Sequence, residues 1–128
     1  MIKFSRVYDH RQTGISTDNI PFGAGTALAG ETVVGIAMRD KGAAKRGGTN
    51  ASIVPTEIFD GLFLHLECLN QGSGKRGLIG DIPCRMIADM TKINGYFPID
   101  NAILDLNACA IISNAEHSGS VEIIFLLK

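Results

Sequence analysis

Four sets of residues in this chain carry chemistry-capable groups, and their spacing decides what each could do. The stretch NQGSGKRGLIG at 70–80 holds Gly72-x-Gly74-x-x-Gly77, the pattern of a dinucleotide-binding turn. That chemistry needs the glycines between a strand and a helix, because the pyrophosphate rests on the helix N-terminus. Here the chain continues as LIGDIPC, where Gly80 disfavours a helix and Pro83 would end one within two turns. A phosphate loop fails as well, since Arg76 stands where a Ser or Thr must reach magnesium. The stretch is expected to be a basic hairpin tip between two strands.

The remaining titratable groups are scattered. His10, His65 and His117 show no spacing that would set two ligands on one face. Cys68, Cys84 and Cys109 are separated by 16 and 25 residues, which fits no paired zinc spacing and leaves one thiol over in any disulfide scheme. They lie in apolar runs, which raise a thiol pKa, so buried and inert cysteines are expected. No Gly-x-Ser-x-Gly elbow occurs, and Asp81, Asp89, Asp100 and Asp105 fall in or beside turns, where Asp is common for backbone reasons. Neither a metal nor a cofactor is expected.

The fourth set is basic. Arg39, Lys41, Lys45 and Arg46 lie in RDKGAAKRGGTN, read as a glycine-rich loop, and Lys75 and Arg76 lie in the hairpin tip. These residues could meet phosphates or an acidic surface on a neighbouring subunit. Aromatic residues are not interleaved with them, which weakens a single-strand nucleic-acid reading. Net charge is −1, so the total carries no bulk attraction to nucleic acid or to an acidic membrane. Residues 1–50 nevertheless carry seven Lys/Arg against four Asp/Glu, and residues 51–128 five against nine. Two faces of different sign would be one explanation.

The elements that position these groups read as short strands. A chain of 128 residues, 45% hydrophobic and with fifteen glycines, suits one domain with many tight turns. IKFSRVY at 2–8 and TVVGIAM at 32–38 are strand candidates. Between them, residues 9–31 match neither the strand nor the helix period and are expected to form a long irregular segment. Its apolar residues Ile15, Ile20, Phe22 and Leu28 would gain most if laid on a neighbouring subunit. EIFDGLFLHLECL at 57–69 fits both periods; Gly61 and the polar His65 and Glu67 favour a strand. PCRMIADM, GYFPI, AILDLN, ACAIIS and VEIIFLL follow as short runs broken by turn residues, among them Thr91 to Gly95. In the last run Ile124 and Leu126 oppose Val121, Ile123, Phe125 and Leu127, so both of its faces should be covered. The expected fold is mainly β, a single-domain antiparallel sandwich or jelly-roll-like barrel.

The N-terminal MIKFSRVYDHRQ lacks the apolar stretch of a secretion signal, and apolar runs of about five residues are too short to span a bilayer. Folding in a reducing cytoplasm, without membrane insertion, is the expectation.

The segment Asn94-Gly95-Tyr96-Phe97-Pro98-Ile99, followed by the terminal run Val121 to Leu126, resembles the end of small bacteriophage capsid-associated proteins. It is similar to the single-barrel vertex (penton) proteins of tailless phages, where a Gly-Tyr-Phe-Pro turn leads into the closing strands. The resemblance implies a structural subunit of a virion, made in the host cytoplasm, that packs against copies of itself and other virion proteins without cofactor or catalysis. Tyr96 and Phe97 are then candidate interface residues, one ring in the core and one at a surface. A rival reading is a small ligand-binding or enzymatic β-barrel lined by His65, Cys68 and the stretch from Arg39 to Arg46. A second rival is nucleic-acid binding through the two Lys-Arg-Gly stretches at 45–47 and 75–77.

Overall fold

The computed structural model describes residues 2–10, 18–22, 28–46, 59–70, 77–113 and 117–128. These residues form eight strands and one helix: β1 (Ile2–His10), β2 (Asp18–Pro21), β3 (Thr32–Arg46), β4 (Leu62–Asn70), β5 (Gly77–Pro83), α1 (Cys84–Asn94), β6 (Phe97–Leu104), β7 (Ala110–Ser113) and β8 (His117–Leu127). All pairings are antiparallel. The strands run β1-β8-β3-β6-β4-β7-β2, with β5 joined to β4.

One continuous sheet is thus folded on itself. β1-β8-β3-β6 form one layer and β5-β4-β7-β2 the other, and the chain changes layer at every connection except β4–β5. That order is a jelly-roll arrangement of the antiparallel sandwich. The fold turns the corner at β4, where Leu64 pairs with Ile82 of β5 on one edge and Ile111 of β7 on the other. Farther along that second edge Cys68 pairs with Leu104 of β6. β6 and β7 therefore lie in series along β4, separated by a turn in which the Asp105 amide donates to the Glu67 carbonyl at 2.8 Å.

Alternation along β4 explains the core. Leu62, Leu64, Leu66 and Cys68 are buried, while Phe63, His65 and Glu67 face outward. From the other layer Ile36, Met38, Val121, Ile123 and Phe125 meet them in a single cluster. Phe22, just after β2, bridges the layers, with ring centroids 5.7 Å from Phe125 and 5.6 Å from Tyr8.

Three sequence expectations change. The run RDKGAAKR is not a loop, because β3 continues through Arg46 opposite His117, absorbing its glycine and alanines in bulges at Asp40/Gly42 and Gly42/Lys45. PCRMIADM and the supposed turn after it form α1, with Pro83 at the helix start, where a missing N–H costs nothing, instead of at its end. Cys84, Ile87, Ala88 and Thr91 make the inward stripe at i, i+3, i+4 and i+7, and Gly95 closes the helix in the left-handed conformation (φ 88°). Residues 9–31 contribute the end of β1 and all of β2, and Phe22 and Leu28 are buried in the chain's own core instead of being held out for a neighbour. The reading of 57–69 as a strand matches β4 from Leu62 onward.

Candidate functional site

The outer face of the β1-β8-β3 ribbon gathers a set of side chains from separate stretches of sequence. Register sets them in rows: Lys3, Leu126 and Gly35; Ser5, Ile124 and Ala37; Val7, Glu122 and Arg39. The first two rows are apolar at their centre, and the third is an ion-paired network. Arg39 Nε donates to Glu122 Oε1 at 2.5 Å, and Ser5 Oγ donates to Glu122 Oε2 at 2.8 Å. The Arg39 guanidinium, then the Ser5 hydroxyl, hold the Glu122 carboxyl below the usual carboxylate range, and the charge of Lys41 adds to the effect.

Helix α1 and the residues after it wall this face. β6 pairs with β3 only as far as Ile36, and beyond that point the helix takes over the strand edge. Thr91 Oγ1 accepts the Met38 N–H at 3.1 Å and donates to the Ile87 carbonyl at 2.7 Å, so an edge amide is satisfied without a strand. Tyr96 then lies across Gly35, where a side chain would have no room. The result is a groove of about 410 Å³ with Ala37, Ile124 and Leu126 as its floor, Thr91, Gly95 and Tyr96 as its wall, and Lys3 and Arg39 at its rim. A smaller hollow of about 200 Å³ shares Met38, Arg39 and Thr91 and extends towards Phe59 and Lys92.

A second cluster lies on the outer face of β4 and β5. His65 Nδ1 stands 2.6 Å from Asp81 Oδ1 and Nε2 stands 2.8 Å from Glu67 Oε2. Hydrogen bonds to Glu67 and to Asp81 raise the imidazole pKa, because both carboxylates favour the doubly protonated ring. Both nitrogens are occupied, so neither is directed at a substrate as a general base must be. The carboxylates sit at opposite ends of the ring and do not converge on a point a metal could occupy. His65 and Cys68 also lie on opposite faces of β4, one outside and one in the core, so they do not line a common barrel mouth.

The thiols stay in the interior. Burial pushes Cys84 up to about 12 and Cys109 up to about 11. The Glu67 N–H donates to Cys109 Sγ at 3.5 Å, a contact that partly offsets its desolvation, and the thiol in turn donates to the Glu67 carbonyl at 3.4 Å. All three cysteines are buried, and none forms a disulfide.

The interface candidates separate into groups. Tyr96 lies on the outer face and Phe97 packs against the core. Ile20, in β2 opposite Ile111, also packs against the core, Phe22 and Leu28 belong to it, and Ile15 lies outside the described residues. Among the basic candidates Arg39 and Lys41 are exposed on β3; Lys45 and Arg46 end the same strand opposite Ser118 and His117; Lys75 and Arg76 lie outside the described residues. The pairing Cys68↔Gly77 places 71–76 as the link between β4 and β5, so the Gly72-x-Gly74-x-x-Gly77 stretch precedes a strand and not a phosphate-binding helix. Sequence reasoning passed over Lys3, Ser5, Glu122 and Thr91, whose roles depend on cross-strand register; the outward alternation of Ile124 and Leu126 was the available signal.

Among the described residues no helix is long and apolar enough to cross a membrane. Comparison with protein-family models, with curated proteins and with solved structures gives no match.

Proposed function

We propose that the chain is a structural subunit of a symmetric assembly, a capsid, vertex or decoration protein of a phage virion, made in the host cytoplasm and working by subunit packing with copies of itself and other virion proteins. The observation that carries the reading is where its two phage-like segments meet. Tyr96 from the first and Ile124 and Leu126 from the second come together around Gly35 on the outside of the sandwich, forming the apolar groove. Elsewhere on the surface Ile93 is 76% and Met86 49% exposed. Met86, Met90 and Ile93 follow i, i+4 and i+7, a second apolar stripe on the face of α1 away from the core. Apolar surface arranged in stripes and grooves is characteristic of association sites, whereas single scattered residues need no such account. The jelly-roll order supports the reading at the level of fold, a weaker warrant because one fold serves many functions.

The test is mass as a function of concentration by light scattering, with electron microscopy of the particles. The reading expects a defined oligomer that Ile124→Lys dissociates without loss of the folded β signal. A chain that stays single at millimolar concentration would overturn it.

A further inference from the structure

The fold converts a mild sequence asymmetry into two oppositely charged layers. On the outer face of β1, β8 and β3 lie Lys3, Arg39 and Lys41 against Glu122. β4 and β5 contain no Lys or Arg and carry Glu67 and Asp81 on their outer face beside His65. The layers face each other through the core, so their outer surfaces point in opposite directions.

We infer that two copies of this chain associate head to tail, the basic outer face of β1-β8-β3 in one copy receiving the acidic outer face of β4-β5 in the next. This rests on the assembly reading and adds which surfaces meet. A two-fold contact places each patch against its own image, which would set Lys3 and Lys41 against lysines, or Glu67 and Asp81 against carboxylates. A heterologous contact sets opposite signs together, and like-charge juxtaposition is what interfaces avoid. The apolar parts also match. On the acidic face Leu69, 48% exposed, follows His65 and Glu67 on the outward side of β4 and offers an aliphatic side chain. On the basic face Ile124 and Leu126 form the floor that would receive it, inside a rim of Lys3 and Arg39. With His65 protonated, the His65, Glu67 and Asp81 cluster still keeps one net negative charge, against two net positive charges from Lys3, Arg39, Lys41 and Glu122 on the opposing face.

Charge reversal and complementation test the contact in the full chain. The variant Lys3→Glu/Lys41→Glu and the variant Asp81→Lys should each associate about tenfold or more weakly than wild type, and raising the salt should weaken wild-type association. Mixing the two variants should restore a complex containing both, a result that misfolding of either cannot produce. The inference is overturned if the reversals leave association unchanged, if the mixture fails to recover it, or if the particles are two-fold dimers. A wild-type chain that never associates removes the assembly reading itself, whereas an oligomer indifferent to these charges removes only the head-to-tail contact. Salt-dependent retention of an oligonucleotide by Lys3 and Lys41, with no effect of either residue on self-association, would instead assign the basic face to nucleic acid.

Discussion

The ring of Tyr96 rests on the backbone of Gly35. A Cβ on that glycine would come within 2.5 Å of Tyr96 Cδ2 and 3.2 Å of Leu126 Cδ1. The aromatic ring thus covers a strand position that has no side chain of its own, and in doing so builds the wall of the groove. Gly35→Ala forces the ring away and should destabilise the fold by about 1–3 kcal/mol, the usual cost of overpacking. In a double-mutant cycle with Tyr96→Ala the two effects should be strongly non-additive, with Gly35→Ala costing little once the ring is gone. Urea unfolding of the four proteins gives the coupling; additive effects would contradict the contact.

Thr91 makes a different kind of closure. Its hydroxyl takes the Met38 amide and passes its own hydrogen to the Ile87 carbonyl. Thr91→Val keeps the shape and removes both bonds, leaving a partly buried N–H without its acceptor. The expected loss is about 1–3 kcal/mol, with Thr91→Ser recovering most of it. Hydrogen exchange at the Met38 amide should accelerate in the Val variant and remain slow in the Ser variant.

The thiols report on the interior. With Cys84 pushed up to about 12 and Cys109 up to about 11, the thiolate fraction at pH 8 is very small, and burial blocks access as well. Aromatic disulfide reagents should therefore modify the native chain at pH 8 at the rate of unfolding, and all three cysteines together in denaturant. Rapid labelling of Cys109 in the native state would show that the turn after β6 opens on its own.

These relationships differ in how far the sequence discloses them. The alternation of Leu62, Leu64, Leu66 and Cys68 and the two-faced apolar run at 121–127 are local patterns, and the mainly β sandwich follows from them. Helix α1 was hidden because Pro83 reads as a breaker when it is in fact the first position before the helix, and Gly95 reads as a turn residue when it is the cap. β3 beyond Met38 was hidden because its polar, glycine-rich sequence is held by pairing with β8 and not by propensity, a tertiary effect. The groove could not be read at all: Gly35, Tyr96 and Leu126 are brought together only by the register of β3 with β6 and β8.

His65 makes a pH-dependent clasp between β4 and β5. A neutral imidazole has one N–H and one lone pair, so it can donate to Glu67 or to Asp81 but not to both, while the protonated ring satisfies the two carboxylates at once. The folded pKa is raised above the unfolded value of about 6.5, so the clasp's contribution is fully present below that value and is lost as pH rises through the folded pKa. Glu122, whose pKa is lowered, acts on the opposite limb: its contribution is present above the unfolded carboxylate value and falls away in acid. The thermal midpoint of the wild-type chain should therefore decline relative to His65→Gln, which cannot ionise, as pH rises above about 6.5 and through the raised folded value, and the two curves should converge at high pH. β5 has β4 as its sheet partner and should be the first strand to lose amide protection as the ring deprotonates. A His65→Gln variant with the same alkaline limb as wild type would show that the clasp contributes nothing to holding β5.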